Sequence, residues 1–190
     1  MQSYFEYYPR FFPDLYPDVL KDVRDKCQRY DWERNGKIYT SNRASCIFTD
    51  RKERSFYGDS IKSYPWNESA ILQQIREKIA SKFDLKFDYV LVHIYEDGRD
   101  NINYHFDREA LNSNIASVSF GVARKFRFRK IGQNKGYEKE FRLCSGDLII
   151  MWGPDRSGDG LGCQRVYMHS VPKESTIKLP RINLTFRQYE

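Results

Sequence analysis

Histidine is scarce in this chain, three among 190 residues, so the positions it takes are informative. His105 and Asp107 form a His-x-Asp pair, and His169 follows much later. On an extended segment, residues two apart point to the same side, so His105 and Asp107 can converge on one ion. A distant strand can then supply His169. Two imidazoles and a carboxylate on one face of an octahedron leave three positions open. That suits a non-haem Fe(II) oxygenase, which needs room for a bidentate cosubstrate and dioxygen. The same ligands would fit a zinc hydrolase. A surface His-x-Asp beside an unrelated histidine needs no metal at all.

The end of the chain adds a second constellation. In Arg181-Ile-Asn-Leu-Thr-Phe-Arg187, a period of two puts Arg181, Asn183, Thr185 and Arg187 on one strand face. Ile182, Leu184 and Phe186 take the other face. Two guanidinium groups, an amide and a hydroxyl can bind a dicarboxylate through charge-assisted, bidentate hydrogen bonds. The competing reading is an edge strand with one solvated face.

Features for a polyanionic partner lie elsewhere. The net charge is +6, which favours nucleic acid as a partner without specifying it. Basic residues cluster at Arg51-Lys52-Glu53-Arg54 and along Arg124 to Lys130, where Lys125, Arg127 and Arg129 share one strand face. Such a ridge can track phosphates; it can equally be a solvated edge that discourages strand aggregation. Tyr57, Tyr64 and Trp66 are candidates to stack on a base, or ordinary packing residues. The loop Gly153 to Cys163 is rich in glycine but lacks a GK[ST] ending and a following helix, so it is not a phosphate-binding P-loop. A mobile loop near a site mouth is expected instead.

The elements that must position these groups follow from periodicity. Aromatic residues crowd the first 16 positions and are expected to pack against a sheet. Pro17 and Asp18 open a helical stretch to about Tyr30, with Val19, Leu20, Val23 and Cys27 on one side. Asn35-Gly36 marks a two-residue hairpin turn. A second helix is expected from Glu68 to about Phe83, capped by Asn67, with Leu72, Ile75, Ile79 and Phe83 as its buried stripe. Strands are expected at Phe87 to Tyr95, Ile115 to Phe120, Lys125 to Arg129, Leu148 to Trp152, Val166 to Val171 and Arg181 to Phe186. Short strands between Gly, Asn and Asp turns, after two helices, indicate an α+β chain, mainly β, with a jelly-roll core.

Composition bounds the rest. At 40% hydrophobic and 16% aromatic residues the chain can bury a core, which excludes wholesale disorder. No apolar run approaches the roughly 20 residues of a membrane span, and the N-terminus, with Glu6 and Arg10, does not read as a signal peptide. Cys27, Cys46, Cys144 and Cys163 are widely spaced, with no CxxC pair, so scattered reduced thiols in an intracellular protein are expected. A monomer is the expected state.

Together these residues resemble the AlkB-type Fe(II)/2-oxoglutarate dioxygenases, most closely the nucleic-acid-repair subgroup. The resemblance is carried by Val90 to Tyr95, His105-Phe-Asp107, Ile115 to Gly121, Gly146 to Met151, His169 to Lys173, and Pro180 to Arg187. The RxNxTxR tail is its most distinctive part, and Tyr57-Gly58-Asp59 extends it weakly upstream. The resemblance implies a double-stranded β-helix core over residues 87–190. Residues 1–86 would supply N-terminal helices packed on one sheet and nucleotide-recognition lid elements, all within one structural domain.

It also implies roles. His105, Asp107 and His169 match the iron ligands. Arg181 and Tyr95 match the residues at the distal carboxylate of 2-oxoglutarate, and Arg187 the arginine near the metal-side carboxylate. Asn183 and Thr185 match positions supporting that pocket. The implied reaction uses dioxygen to decarboxylate 2-oxoglutarate to succinate and to hydroxylate an N-methyl group. The product collapses to formaldehyde and the restored base. Alkylated DNA or RNA, with 1-methyladenine or 3-methylcytosine, would be the substrate. Alternatives are an oxygenase acting on a protein or small molecule, and a nucleic-acid-binding relative without catalysis.

Three positions depart from the family pattern. His93 stands where relatives often place an asparagine contacting 2-oxoglutarate, and it reads either as a contact there or as a satisfied core histidine. Arg108 follows the ligand Asp107 where repair members often have an acidic residue, with Glu109 next, so both are candidates to touch substrate. The segment from Tyr57 to Trp66 is short, which implies a reduced lid.

Overall fold

Strands whose side chains alternate between two environments assemble into sheets with two distinct faces, and this chain packs two such sheets against each other. A computed structural model describes residues 3–51 and 60–189. In chain order the elements begin with β1 (Phe5–Tyr8), α1 (Tyr16–Val23), β2 (Asp31–Arg34), β3 (Lys37–Thr40), β4 (Ala44–Thr49) and β5 (Ser63–Tyr64). Next come α2 (Ala70–Phe83), β6 (Tyr89–Tyr95), β7 (Ile102–His105), β8 (Ile115–Gly121), β9 (Arg124–Lys130) and β10 (Lys139–Leu143). The chain closes with β11 (Asp147–Met151), the one-turn α3 (Cys163–Val166), β12 (Tyr167–Val171) and β13 (Arg181–Arg187).

The large sheet runs β1-β11-β8-β13-β6-β4-β5, and the small one β10-β9-β12-β7. Two facing, mainly antiparallel sheets with this interleaved order form a jelly roll. Val19 and Val23 of α1 share one buried cluster with Leu72, Ile75 and Ile79 of α2 and with Val90, Val92, Ile182, Leu184 and Phe186 of the large sheet. A second cluster lies between the sheets, where Phe5 stacks on Phe128 at 3.9 Å. No helix among the described residues is long and apolar enough to cross a membrane.

Several boundaries differ from the sequence reading for local reasons. The first helix stops at Val23, and Gln28 then bridges to Ser45, drawing the chain alongside β4 instead of extending the helix to Tyr30. The second helix is capped by Ser69, whose Oγ accepts the Leu72 amide at 3.3 Å; Asn67 lies in a preceding 3-10 turn, Trp66–Glu68. The hairpin at Asn35-Gly36 is present, with φ of 53° and 72°, as a turn with two left-handed residues requires. A one-turn helix, α3, follows the glycine-rich loop, where none was expected. The expectation of four reduced thiols is also corrected. Cys27 and Cys46 form a disulfide with a Cα separation of 4.6 Å, because the Gln28–Ser45 bridge brings the two segments together. Cys144 and Cys163 are free.

Candidate metal centre and cosubstrate pocket

β13 lies in the middle of the large sheet, between β6 and β8, and all seven of its residues are buried. That removes the solvated-edge alternative for the terminal strand. The antiparallel register sets Tyr95 opposite Arg181, His93 opposite Asn183, Leu91 opposite Thr185 and Tyr89 opposite Arg187. β4 continues the grid, with Ser45 beside His93. The intervening residues Val90, Val92, Ile94, Ile182, Leu184 and Phe186 sit in the helix-side cluster. Alternation therefore places the polar set on the face toward the small sheet.

The small sheet brings the metal ligands to that space. His105 ends β7 and lies directly opposite His169 of β12, with ring centroids 4.3 Å apart. Asp107 follows with extended backbone, and its amide donates to Gln164 Oε1 at 2.9 Å. Its Oδ1 stands 3.7 Å from His105 Nε2, and its Oδ2 stands 3.5 Å from His169 Nε2. One ligating atom from each of the three residues lies within 4.8 Å of the other two. Neighbouring donors around one ion are about 3 Å apart for bonds near 2 Å, so a small contraction would close this set on a cation.

The chemistry of the donors fits that ion. His105 Nδ1 lies 2.9 Å from the Asn103 carbonyl, which can only accept, so Nδ1 carries the proton and Nε2 offers its lone pair. Burial pushes the His169 pKa down to about 3, with Arg187 also lowering it and Asp107 opposing, so its imidazole is neutral and able to ligate. Burial pushes the Asp107 carboxyl up, but Arg187, His169 and His105 outweigh it and hold it below the usual range. Asp107 Oδ2 is buried without a hydrogen-bond partner, facing the His169 nitrogen. A carboxylate oxygen without a hydrogen-bond partner, beside lone-pair nitrogens, is suited to ligate a cation.

Two cavities meet at these ligands. The inner one is lined by polar Tyr95, His93, Ser117, Asn183, Thr185 and Arg187, together with His105 and His169. Arg181 lies beneath Tyr95, its guanidinium 5.2 Å from the ring centroid. It is fully buried, and burial lowers its pKa to about 10. Nη2 donates to Ser119 Oγ at 2.8 Å, whereas Nε and Nη1 have no hydrogen-bond partner among the described residues. A buried cation with two unused donors is a seat for a carboxylate.

The outer cavity, of about 220 Å3, is bounded by Tyr30, Arg43, Leu91, Ile102, Phe106, Arg108 and Glu109 along with His93, His105, Asp107 and Arg187. Arg187 joins its floor to its wall: Nη2 donates to Asp107 Oδ1 at 2.9 Å and Nη1 pairs with Glu109. Arg108 is exposed, its guanidinium 5.8 Å from the Phe106 ring.

Other sequence candidates fall elsewhere. Trp66 and Tyr64 do not line either cavity at the triad, which favours the packing alternative over the stacking one for both. Trp66 is buried against Phe186, with its indole N–H donated to the Asp88 carbonyl, and Tyr64 packs on the same helix-side cluster. Tyr57 lies outside the described residues, as does most of the basic run at 51–54. Arg127 and Arg129 project from β9 away from the buried Phe126 and Phe128. Arg127 pairs with Glu140 at 2.6 Å, and Arg129 lies 3.9 Å from the Tyr104 centroid. Sequence reasoning did not find Tyr30, Arg43, Leu91, Ile102, Phe106, Ser45 or Gln164; of these only Phe106, between two ligands, had a positional signal.

Comparison with known proteins defines the class. The model of the 2OG-Fe(II) oxygenase superfamily matches residues 16–187, and the chain belongs to that family of 2-oxoglutarate-dependent dioxygenases, which brings with it Fe(II), 2-oxoglutarate and dioxygen. Within it the chain is of the AlkB type. It is 34% identical over 143 residues to the bovine (Bos taurus) DNA oxidative demethylase ALKBH2, covering 70% of this chain and 48% of the relative. To human (Homo sapiens) alpha-ketoglutarate-dependent dioxygenase alkB homolog 3 it is 28% identical over 180 residues, covering 85% and 58%. The chain thus spans about half the length of the curated relatives it matches. The solved structure of OsALKBH1 aligns with a TM-score of 0.63 at 16% identity over 99% of both chains, and shows the fold.

Proposed function

We propose that the protein is an oxidative demethylase of N-alkylated bases in DNA or RNA, of the 1-methyladenine and 3-methylcytosine type. The observation that carries this is the outer cavity, which reaches His105 and Asp107 of the His105–Asp107–His169 set and whose wall offers Tyr30, Phe106 and the Glu109 carboxylate. Bases methylated at these ring nitrogens are cationic, and a carboxylate with aromatic walls favours them over the neutral parent bases. The relatives named as a DNA oxidative demethylase and as alkB homolog 3 support the same reading.

In this reading His105, Asp107 and His169 hold Fe(II). Arg181 and Tyr95 take the distal carboxylate of 2-oxoglutarate, and Arg187, Asn183, Thr185 and His93 face its metal-side half. The loaded centre supplies the two-electron oxidation that hydroxylates the N-methyl group. Arg187 occupies Asp107 Oδ1 and leaves Oδ2 for the ion. A flipped-out base is needed to reach this floor, so the polymer must lie across the cavity mouth. Arg108, Arg127 and Arg129 supply positive charge for its phosphates. Residues 1–86 frame the substrate and residues 87–190 form the catalytic core, as one domain acting as a monomer.

The test is formaldehyde release from a panel of methylated DNA and RNA oligonucleotides with Fe(II) and 2-oxoglutarate. Release from at least one methylated strand, lost in Asp107→Ala, is expected. If 2-oxoglutarate is turned over but no methylated oligonucleotide stimulates it, the substrate class is wrong.

A further inference from the structure

We infer that Ser45 is a positioning residue, whose hydroxyl fixes His93 as the Nε2–H tautomer so that a neutral donor faces 2-oxoglutarate. The inference rests on reading the inner cavity as the 2-oxoglutarate seat.

Ser45 Oγ and His93 Nδ1 lie 2.7 Å apart, and both residues are buried, at 2% and 6% exposure. Nδ1 is the only hydrogen-bond partner of this hydroxyl among the described residues. If Nδ1 carried the proton, the serine O–H would itself be left buried without an acceptor, at a cost of about 1–3 kcal/mol. The arrangement that satisfies both groups has the hydroxyl donating to Nδ1. The ring proton then resides on Nε2, which makes no hydrogen bond among the described residues. The His93 ring lines the inner and the outer cavity alike, between Asn183 and Ser45 in the cross-strand grid.

The support beneath Ser45 is rigid. Its amide donates to the Gln28 carbonyl at 2.9 Å and its carbonyl accepts from the Gln28 amide at 3.2 Å. Its other side pairs with β6. The neighbouring residue, Cys46, is cross-linked to Cys27. A hydroxyl held this way selects one tautomer without adding charge. Neutrality matters here, because Arg43, Arg187 and Arg181 all lie close enough to oppose a proton on His93, on top of its burial. A neutral N–H still donates to an anionic oxygen, as a primary amide would. The other tautomer would present a lone pair to that oxygen and repel it.

The experiment is nitrogen-15 NMR of the histidine side chains combined with calorimetric binding of 2-oxoglutarate to the metal-loaded protein under anaerobic conditions. Wild type should show His93 protonated at Nε2. Ser45→Ala should show a mixture of tautomers and bind 2-oxoglutarate about ten-fold more weakly, the effect of one lost orienting hydrogen bond. Ser45→Thr, which keeps the hydroxyl on a strand-compatible side chain, should restore both readouts. In turnover, the Ser45→Ala defect should fall on KM for 2-oxoglutarate more than on kcat. A proton on Nδ1 in the wild type would overturn the proposal without recourse to any variant, as would equal 2-oxoglutarate affinity in wild type and Ser45→Ala. Failure of the wild type to bind 2-oxoglutarate would overturn the reading of the cavity itself, and the proposal with it.

Discussion

Replacing Arg181 by Met separates what a buried cation costs the fold from what it gives to ligand binding. Burial takes the guanidinium well below its ordinary value, to about 10. At about 1.4 kcal/mol per pH unit, the charged form is disfavoured by about 3 kcal/mol in the folded, ligand-free protein. The folded value lies below the unfolded one for a base, so this penalty is fully present at neutral pH and lifts only above about pH 10. Against it stands the bond from Nη2 to Ser119 Oγ, worth about 1.5–3 kcal/mol as a hydrogen bond to a charged group. The two nearly cancel. Methionine fills similar space without charge, so Arg181→Met should lie within about 1 kcal/mol of wild type in the absence of ligand, a melting shift of about 2–4 °C at most. Binding should respond very differently. Losing one partner of a buried charge pair costs about 2–5 kcal/mol, which puts the 2-oxoglutarate affinity of the variant at least about thirty-fold below wild type. At a 2-oxoglutarate concentration of about 100 wild-type Kd, the wild-type melting temperature should rise by the equivalent of about 2.7 kcal/mol and that of the variant by less than about 1 kcal/mol. Calorimetric titration and melts with and without 2-oxoglutarate check both halves. A variant that binds as tightly as wild type, or that loses more than about 3 kcal/mol of ligand-free stability, would refute the reasoning.

Glu109→Ala should slow turnover on a methylated oligonucleotide at least about ten-fold, as loss of a charge-assisted contact would; metal titration should find Fe(II) affinity much less affected, because Arg187 keeps its bond to Asp107. Arg129→Ala should weaken oligonucleotide binding across sequences and lower the salt slope by about 1, measured by anisotropy from low to physiological salt. An unchanged slope would make the β9 ridge a solvated face. Cys27→Ser opens a loop with a sequence separation of 19 and should cost about 3 kcal/mol in denaturant unfolding by chain entropy. Stability equal to wild type under non-reducing conditions would show that the cross-link contributes nothing.

What was legible in the sequence divides by range. His105, Asp107 and the β13 set could be placed together because a period of two is a local property, and burial of the whole strand then decided between pocket and edge. The two helices were recognisable from their apolar stripes, although their ends were set by tertiary contacts: the Gln28–Ser45 bridge and the Ser69 cap. Tyr64 and Trp66 were left between two readings because an aromatic side chain suits a stacking wall and a core equally well. Only the fold reveals that theirs is the helix-side face. Tyr30, Arg43, Leu91 and Ile102 come from separated segments and meet only through sheet topology, which no local pattern encodes. The Cys27–Cys46 pairing was hidden for the same reason.

The cross-strand grid has a consequence for how such a site can change over time. Ser45, His93 and Asn183, like Tyr95 with Arg181, keep their mutual positions only while three neighbouring strands stay in register. Gain or loss of a single residue inside β4, β6 or β13 would turn that strand's polar set toward the helices and its apolar set into the cavity. Lineages descending from this chain can therefore exchange side chains at grid positions one at a time, but they must accommodate every change of length in the connections between strands. The pocket can be retuned letter by letter, while novelty of size is confined to the rim that meets the substrate.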